Sequence, residues 1–324
     1  MAATIRDVAR LAGVSPATVS RYYAGNGVVT DASGKRIEKA AASLGYVPAP
    51  RKRVQGNIAI IMTGLKLDYY KDALHALLEE SRRYDYRIPV IHVQEGREDY
   101  KQALKDLNVT GVIYVEEDLP PELLHYIHAK HIRAAVFGGA ITEVPCKMVH
   151  INNLAAAREG VQYLFGIGHK KILILSDVPK SIQSGFQRIS GCRRAYEEAG
   201  LEFNERLLRC APPTFDNGYQ LMRQVLSKKL DFSAVFAFSD DMALGAILAL
   251  HDSGLKVPDD VSVLGFDGST MSGRVTPRLT TIGHPFELMA KIVLDTFRNQ
   301  EIEGPIEVIV PYQFIRGETC RAIT

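Results

Sequence analysis

Apolar positions change their rhythm twice along the chain. From Thr4 to Ala12 they fall at Ile5, Val8, Ala9 and Ala12, one stripe of a helix. Thr4 is placed to cap it, with Asp7 three residues on as the acidic partner. Gly13-Val14-Ser15-Pro16 then interrupts the stripe. Gly13 allows a left-handed stop, Ser15 is a strong cap, and Pro16 suits a first helical position. A second helix follows through Ala17-Thr18-Val19-Ser20-Arg21. A third is signalled by Thr30-Asp31 and then Ile37, Ala40, Ala41 and Leu44, ending at Gly45-Tyr46. Two short helices joined by a Gly-containing turn predict a helix-turn-helix. In that geometry Pro16 and Ala17 lie against base edges. Thr18 and Ser20 reach phosphates, and Arg21 reaches a guanine edge or a phosphate. A plain three-helix bundle is the alternative.

From Ile58 the pattern becomes short apolar runs alternating with amphipathic stretches. The runs Ile58–Met62, Ile88–Val93, Gly111–Val115, Ala134–Phe137, Lys171–Leu175, Ala234–Phe238 and Val261–Phe266 read as strands. Tyr70–Tyr84, Leu154–Phe165, Ser190–Ala199, Gly218–Leu226 and Asp241–Ser253 read as helices, and a further strand is expected at Arg316-Gly317-Glu318-Thr319. Such alternation predicts doubly wound parallel sheets covered by helices on both faces. This many strands favours two lobes over one sheet. The fold class is thus a small all-α helix-turn-helix domain plus an α/β two-lobed domain.

Open parallel sheets bind ligands beyond the carboxyl ends of their strands. The polar residues there are Asn152-Asn153, Ser239-Asp240, Asp267 and His284. Asp240 serves either as a helix cap or as a ligand contact, and Asp267 either shapes a turn or binds.

Charge sharpens the division. The net charge is +2, yet residues 1–57 hold nine Lys/Arg against three Asp/Glu, leaving the remainder slightly acidic. A basic arm on an acidic body suits a polyanion met from one end, or a solubilising terminus. The four cysteines are scattered, which fits a reducing cytoplasm and offers no metal knuckle. No apolar run approaches the roughly 18 residues a membrane span requires, and no secretion signal opens the chain. Phosphate loops, Gly-x-Ser-x-Gly elbows and His-Glu-x-x-His motifs are absent, so no enzyme, cofactor or metal site is predicted.

The segments Thr4-Ile5-Arg6-Asp7-Val8-Ala9, Ala12-Gly13-Val14-Ser15-Pro16-Ala17-Thr18-Val19-Ser20-Arg21 and Leu44-Gly45-Tyr46-Val47-Pro48 resemble the lac-repressor (LacI/GalR) family of bacterial regulators. The resemblance implies residues 1–48 as the DNA-binding domain, 49–57 as a hinge, and 58–324 as an effector-binding and dimerisation domain of the type I periplasmic-binding-protein architecture. The N-lobe would take about 58–166 and 285–311, and the C-lobe about 167–284 and 312–324, with crossings near Ile167, His284 and Tyr312. It implies DNA contacts from Thr4, Ser15, Pro16, Ala17, Thr18, Ser20 and Arg21, with Arg51, Lys52 and Arg53 on phosphates. Effector contacts would come from Tyr69, Tyr70, Arg188, Phe215, Ser239, Asp240, Asp267 and His284, one of the two tyrosines lying in the core. The expected whole is a homodimeric repressor on a pseudo-palindromic operator, controlled by a sugar or sugar derivative. A nucleobase or other metabolite sensor, or an enzyme on the same scaffold, are the alternatives. The chain also departs from the family pattern. Gln55 stands where a wedging leucine is expected, with Val54 the only apolar neighbour in a short linker. Pro213 stands where an aromatic is common, so Phe215 is expected to replace it. Asn152 replaces an Asp, Ser239 an Asn, and His284 a Gln.

Overall fold

A computed structural model describes residues 3–24, 29–46, 57–62, 67–84, 86–93, 99–115, 121–139, 146–177, 184–298 and 304–323. Contacts divide the chain into two units, Met1–Gln55 and Gly56–Thr324. The expected hinge contacts Arg51, Lys52 and Arg53, with Val54 and Gln55, lie outside the described residues.

The first unit holds three helices, α1 (Ile5–Ala12), α2 (Pro16–Ala24) and α3 (Asp31–Ser43). They close on Val8, Ala9, Ala12, Val19, Ile37, Ala40 and Ala41. The small residues let the helices approach closely, and Tyr22, Tyr23 and Tyr46 pack around the rim. Leu44 is not the core residue its spacing predicts. It is the C-cap of α3 and more than a third exposed. Gly45 takes a left-handed turn just after it, and the Tyr46 N–H returns to the Ala41 carbonyl at 2.9 Å. That turn brings Tyr46 against the core and leaves Leu44 outside.

The second unit carries two six-stranded sheets. The N-lobe sheet is built from β1 (Asn57–Met62), β2 (Val90–His92), β3 (Val109–Tyr114), β4 (Arg133–Phe137), β5 (Lys147–Ile151) and β11 (Ile306–Val310), ordered β11-β5-β4-β3-β1-β2. The C-lobe sheet uses β6 (Ile172–Ser176), β7 (Leu208–Cys210), β8 (Ala234–Ala237), β9 (Ser262–Asp267), β10 (Thr280–Gly283) and β12 (Gln313–Ile315), ordered β12-β10-β9-β8-β6-β7. All pairings are parallel except β10 with β12. Central strands such as β6, β8 and β9 are buried at every position, because helices cover both faces. Those helices are α4 (Asp68–Ser81), α5 (Asp99–Asp106), α6 (Pro121–Ala129) and α11 (Phe286–Asp295) for the N-lobe. The C-lobe has α7 (Asn153–Gly166), α8 (Ser184–Glu198), α9 (Phe215–Ser227) and α10 (Asp240–Asp252).

Two sequence expectations change. Helix α7 packs on α8 and β8, so the chain leaves the N-lobe sheet at Asn152 and not near Ile167. It returns between Gly283 and Phe286 and crosses again between Val310 and Gln313. The expected strand Arg316–Thr319 is an irregular strap, and the ladder partner of β10 is Gln313–Ile315. The strap is still buried at Thr319, whose hydroxyl donates to the Val263 carbonyl at 2.6 Å and accepts from the Thr280 N–H at 2.9 Å. Thr319 therefore holds the strap by side chain and backbone together, its carbonyl accepting the Val263 N–H at 2.8 Å.

Helices α9 and α10 meet through glycine. A Cβ on Gly245 would stand 2.0 Å from the Phe215 carbonyl oxygen, and one on Gly218 would stand 2.3 Å from the Met242 carbonyl oxygen. Backbone cannot yield as a side-chain tip can. Gly245→Ala is expected to cost about 1–3 kcal/mol in urea unfolding. Gly273→Ala, at an open position, should change it by less than about 0.5 kcal/mol.

Candidate functional site

In the first unit, Thr4 forms a reciprocal capping box. The Asp7 N–H donates to Thr4 Oγ1 at 3.4 Å, and the Thr4 N–H donates to Asp7 Oδ2 at 3.0 Å. The Thr4 hydroxyl, which donates to Asp7 Oδ2 at 2.6 Å, and the Thr4 N–H hold the Asp7 carboxyl below its ordinary range. Gly13 ends α1 at φ +63°. Ser15 Oγ accepts the Thr18 N–H at 3.0 Å and lies 2.8 Å from Thr18 Oγ1. The hydroxyls of Thr4, Ser15 and Thr18 are thus engaged in shaping the turn. Val19 is wholly buried against α1 and α3, which leaves Pro16, Ala17, Ser20 and Arg21 on the exposed side of α2. Small residues with one long cation on an open helix face can approach a groove floor without steric conflict.

In the second unit a cavity of about 220 Å³ lies between the lobes. From the N-lobe it takes Leu67, Tyr69 and Tyr70 at the start of α4, and Phe137-Gly138 at the end of β4. The C-lobe adds Asp177 after β6, Ser184 and Arg188 of α8, Pro213, Phe238-Ser239 after β8, Asp267 at the end of β9 and His284 after β10. Most of these sit at carboxyl ends of strands or in the helical turns that follow, as an open parallel sheet dictates.

Arg188 is the anchored charge of this wall. It is buried, its Nε donates to Asn153 Oδ1 at 2.9 Å, and its Nη1 donates to the Phe238 carbonyl at 2.6 Å. Its guanidinium carbon lies 3.7 Å from the centroid of the Phe266 ring, so an aromatic face backs the cation. Asp267 ends β9 at φ +117°, a left-handed conformation unusual for a residue with a side chain. Burial pushes its carboxyl well above the ordinary range. Arg188 opposes that shift, while Asp240 and Asp241 add to it. His284 Nε2 stands 3.9 Å from Asp267 Oδ1. Burial, Arg188 and His150 hold the imidazole well below its usual range, so His284 is neutral and the contact is not an ion pair. Among the described residues, neither ring nitrogen of His284 has a hydrogen-bond partner. The ring is wedged against Tyr69 at 5.1 Å, Phe286 at 5.7 Å and Phe266 at 5.9 Å between centroids.

Six of the eight expected effector residues meet here: Tyr69, Tyr70, Arg188, Ser239, Asp267 and His284. Both tyrosines line the cavity, against the expectation that one lies in the core. Tyr69 can come so near the β4 turn because residue 138 is glycine, where a Cβ would stand 2.0 Å from the Tyr69 hydroxyl. Phe215 and Asp240 do not line the wall. Phe215 opens α9 with its carbonyl pressed on Gly245 and its ring more than a third exposed, and Pro213 takes the wall position. Asp240 is held elsewhere, accepting the Ser269 N–H at 2.7 Å and the Thr281 hydroxyl at 2.6 Å. Ser239 lines the wall but also caps α10, accepting the Met242 N–H at 3.1 Å and donating to the Pro213 carbonyl at 3.1 Å.

Sequence reasoning missed Asp177 and Ser184, and it gave neither Pro213 a place on the wall nor Asn153 its positioning role. Asp177 follows β6, so the strand-end rule that found Asp267 would have found it too. Asn153 was flagged only by position. Its bond to Arg188 spans 35 residues, and no local signal announces it.

A model of bacterial regulatory proteins of the lacI family matches residues 4–49, and one for a periplasmic binding protein-like domain matches residues 161–320. The chain carries a lacI-family helix-turn-helix domain and a periplasmic-binding-protein-like domain. It is similar along its length to curated regulators. One is the HTH-type transcriptional regulator CelR of Thermobifida fusca, 29% identical over 95% of both chains. Another is the HTH-type transcriptional repressor CytR of Escherichia coli K12, 29% identical over 98% of this chain and 96% of that one. Among solved structures, a CelR–cellobiose complex matches with a TM-score of 0.73 at 27% identity, covering 98% of this chain and 99% of that one. A lac repressor dimer bound to operator and the anti-inducer ONPF matches with a TM-score of 0.70 at 25% identity, covering 99% and 100%. This chain is a DNA-binding transcriptional regulator and not an enzyme. Among the described residues no helix is long and apolar enough to cross a membrane.

Asp240 gives this regulator a pH signature. Burial pushes its carboxyl up to about 7, against bonds from Thr281 and Ser269 that favour the anion. A raised folded pKa contributes stability that is full below the unfolded value, near 3.8, and is lost as pH rises towards about 7. Asp240→Asn removes that titration. In thermal melts from pH 5 to pH 8 its deficit relative to wild type should therefore shrink as pH rises, whereas a constant deficit would show that Asp240 does not titrate in this window.

Proposed function

We propose that this regulator binds a pseudo-palindromic operator as a homodimer in the cytoplasm, and that a small neutral polar effector in the interlobe cavity controls its occupancy as a repressor. The observation that carries the effector assignment is His284, a neutral imidazole in a buried wall with neither nitrogen partnered among the described residues. Buried polar atoms without partners are costly, so a ligand that bonds them offsets that cost. Asp177 and Asp267 offer acceptors, Arg188 offers donors, and Tyr69, Tyr70, Phe137 and Pro213 offer apolar faces. Hydroxyl edges and C–H faces in one ring are the mark of a sugar, and the CelR–cellobiose likeness supports that class. On DNA, Pro16 and Ala17 lie on the bases, Ser20 and Thr18 face phosphates, and Arg21 reads a guanine. Arg51, Lys52 and Arg53 add phosphate contacts. The domain limits proposed are 1–48, 49–57 and 58–324.

Two measurements test this reading. A thermal-shift screen of sugars, sugar phosphates and nucleobases should yield a sugar that, at a hundredfold excess over its Kd, stabilises by about 2.7 kcal/mol. Arg188→Ala and Asp267→Ala should abolish the shift, and shifts that survive both variants place the ligand elsewhere. Arg21→Ala should weaken specific operator binding by about 1–3 kcal/mol at fixed salt. Unchanged binding would remove α2 from the recognition role.

A further inference from the structure

Helix α4 begins without a cap of its own. Its N-cap is Leu67, whose side chain makes no capping bond, yet the next two positions after Asp68 are the cavity residues Tyr69 and Tyr70. The missing acceptor comes from the other lobe. Asp241, in the first turn of α10, accepts the Asp68 N–H on Oδ2 at 2.9 Å. A carboxylate at a helix N-terminus satisfies a free N–H and complements the helix dipole. The favour is returned one turn along. Asp72 of α4 accepts the Thr270 N–H on Oδ2 at 2.7 Å and the Thr270 hydroxyl on Oδ1 at 2.8 Å.

Thr270 lies three residues beyond the cavity residue Asp267. The turn between them is fastened inside the C-lobe by Asp240, which accepts the Ser269 N–H and the Thr281 hydroxyl. The adjacent acids Asp240 and Asp241 therefore divide the work. One fixes the loop that carries Asp267, and the other reaches across to the helix that carries Tyr69 and Tyr70. Each lobe supplies an acceptor for backbone N–H groups of the other. Opening the cleft would break both sets at once and expose the first turn of α4 uncapped.

We propose that Asp72 and Asp241 form a reciprocal clasp across the cleft, two positioning residues that hold the lobes closed and keep the tyrosines of α4 on the effector wall. Its link to effector control rests on the cavity reading above, but the clasp itself is tested without any effector. Full-length protein would carry nitroxide labels at the exposed positions His75→Cys and Arg274→Cys, with Cys210→Ser and Cys320→Ser, the remaining Cys146 and Cys192 being buried. Dilution with unlabelled chain restricts pulsed dipolar spectroscopy to distances within one chain. Wild type should give one narrow distance population. Asp72→Ala and Asp241→Ala should each add a longer one, larger in the double variant, whereas Asp72→Asn and Asp241→Asn, which keep an acceptor, should restore the narrow population. A folded double variant with the wild-type distribution overturns the clasp. Should the double variant fail to fold, Thr270→Val, at an exposed site, decides. It removes one of the two bonds to Asp72 and should lengthen the distances, and an unchanged distribution again overturns the clasp. Failure of the sugar screen would leave these distances untouched, so the two ideas fall separately.

Discussion

The Arg188 guanidinium is a charge taken out of water, and the C-lobe face of the cleft is arranged around that fact. A buried cation needs hydrogen bonds and a favourable field, or its desolvation would unfold its surroundings. Asn153 and the Phe238 carbonyl supply the bonds, and Phe266 lies beneath the plane. Each partner comes from a different part of the sheet: the start of α7, the end of β8 and the end of β9. Fixing the arginine thus fixes three strand-end regions to one another. Burial raises the pKa of Asp267 and lowers that of His284, and the Arg188 charge opposes the first shift and adds to the second.

Short polar side chains do most of the remaining construction. Thr4 and Ser15 shape the turn that exposes Arg21, and Thr214 and Ser239 start the helices beside the cavity. A serine that caps α10 and bonds the Pro213 carbonyl has limited freedom to serve a ligand, which is why Ser239 belongs to the wall more as framework than as donor. Asp240 carries this further. It lies beneath the cleft, out of the cavity, and fastens the loop that presents Asp267.

How much of this was legible depended on the range of the interaction. The helix-turn-helix was readable because caps, glycine stop and apolar stripe are contiguous from Thr4 to Arg21, and the packing of Val19 follows from that stripe. Arg188, Asp267 and His284 were readable through strand ends and motif resemblance. Phe215 and Asp240 were displaced by contacts that no local pattern encodes: a helix pressed on Gly245 in one case, and a loop 29 residues away in the other. Leu44 failed because a single left-handed glycine turned the chain before the apolar period could be used. Helices α5, α6 and α11 were not anticipated, since their amphipathic periods are short and their faces are completed by neighbours distant in sequence.

The central claim is that the cavity and the recognition helix belong to one thermodynamic switch. Linkage demands that an effector changing operator affinity by some factor has its own affinity changed by the same factor when operator is bound. Isothermal titration of a cavity-binding sugar into full-length protein, with and without saturating operator, measures that factor from the ligand side, and titration of operator with and without the sugar measures it from the DNA side. The account predicts equal factors, each of about fivefold or more. A sugar that binds at Arg188 and Asp267 with the same affinity whether or not operator is present would contradict it.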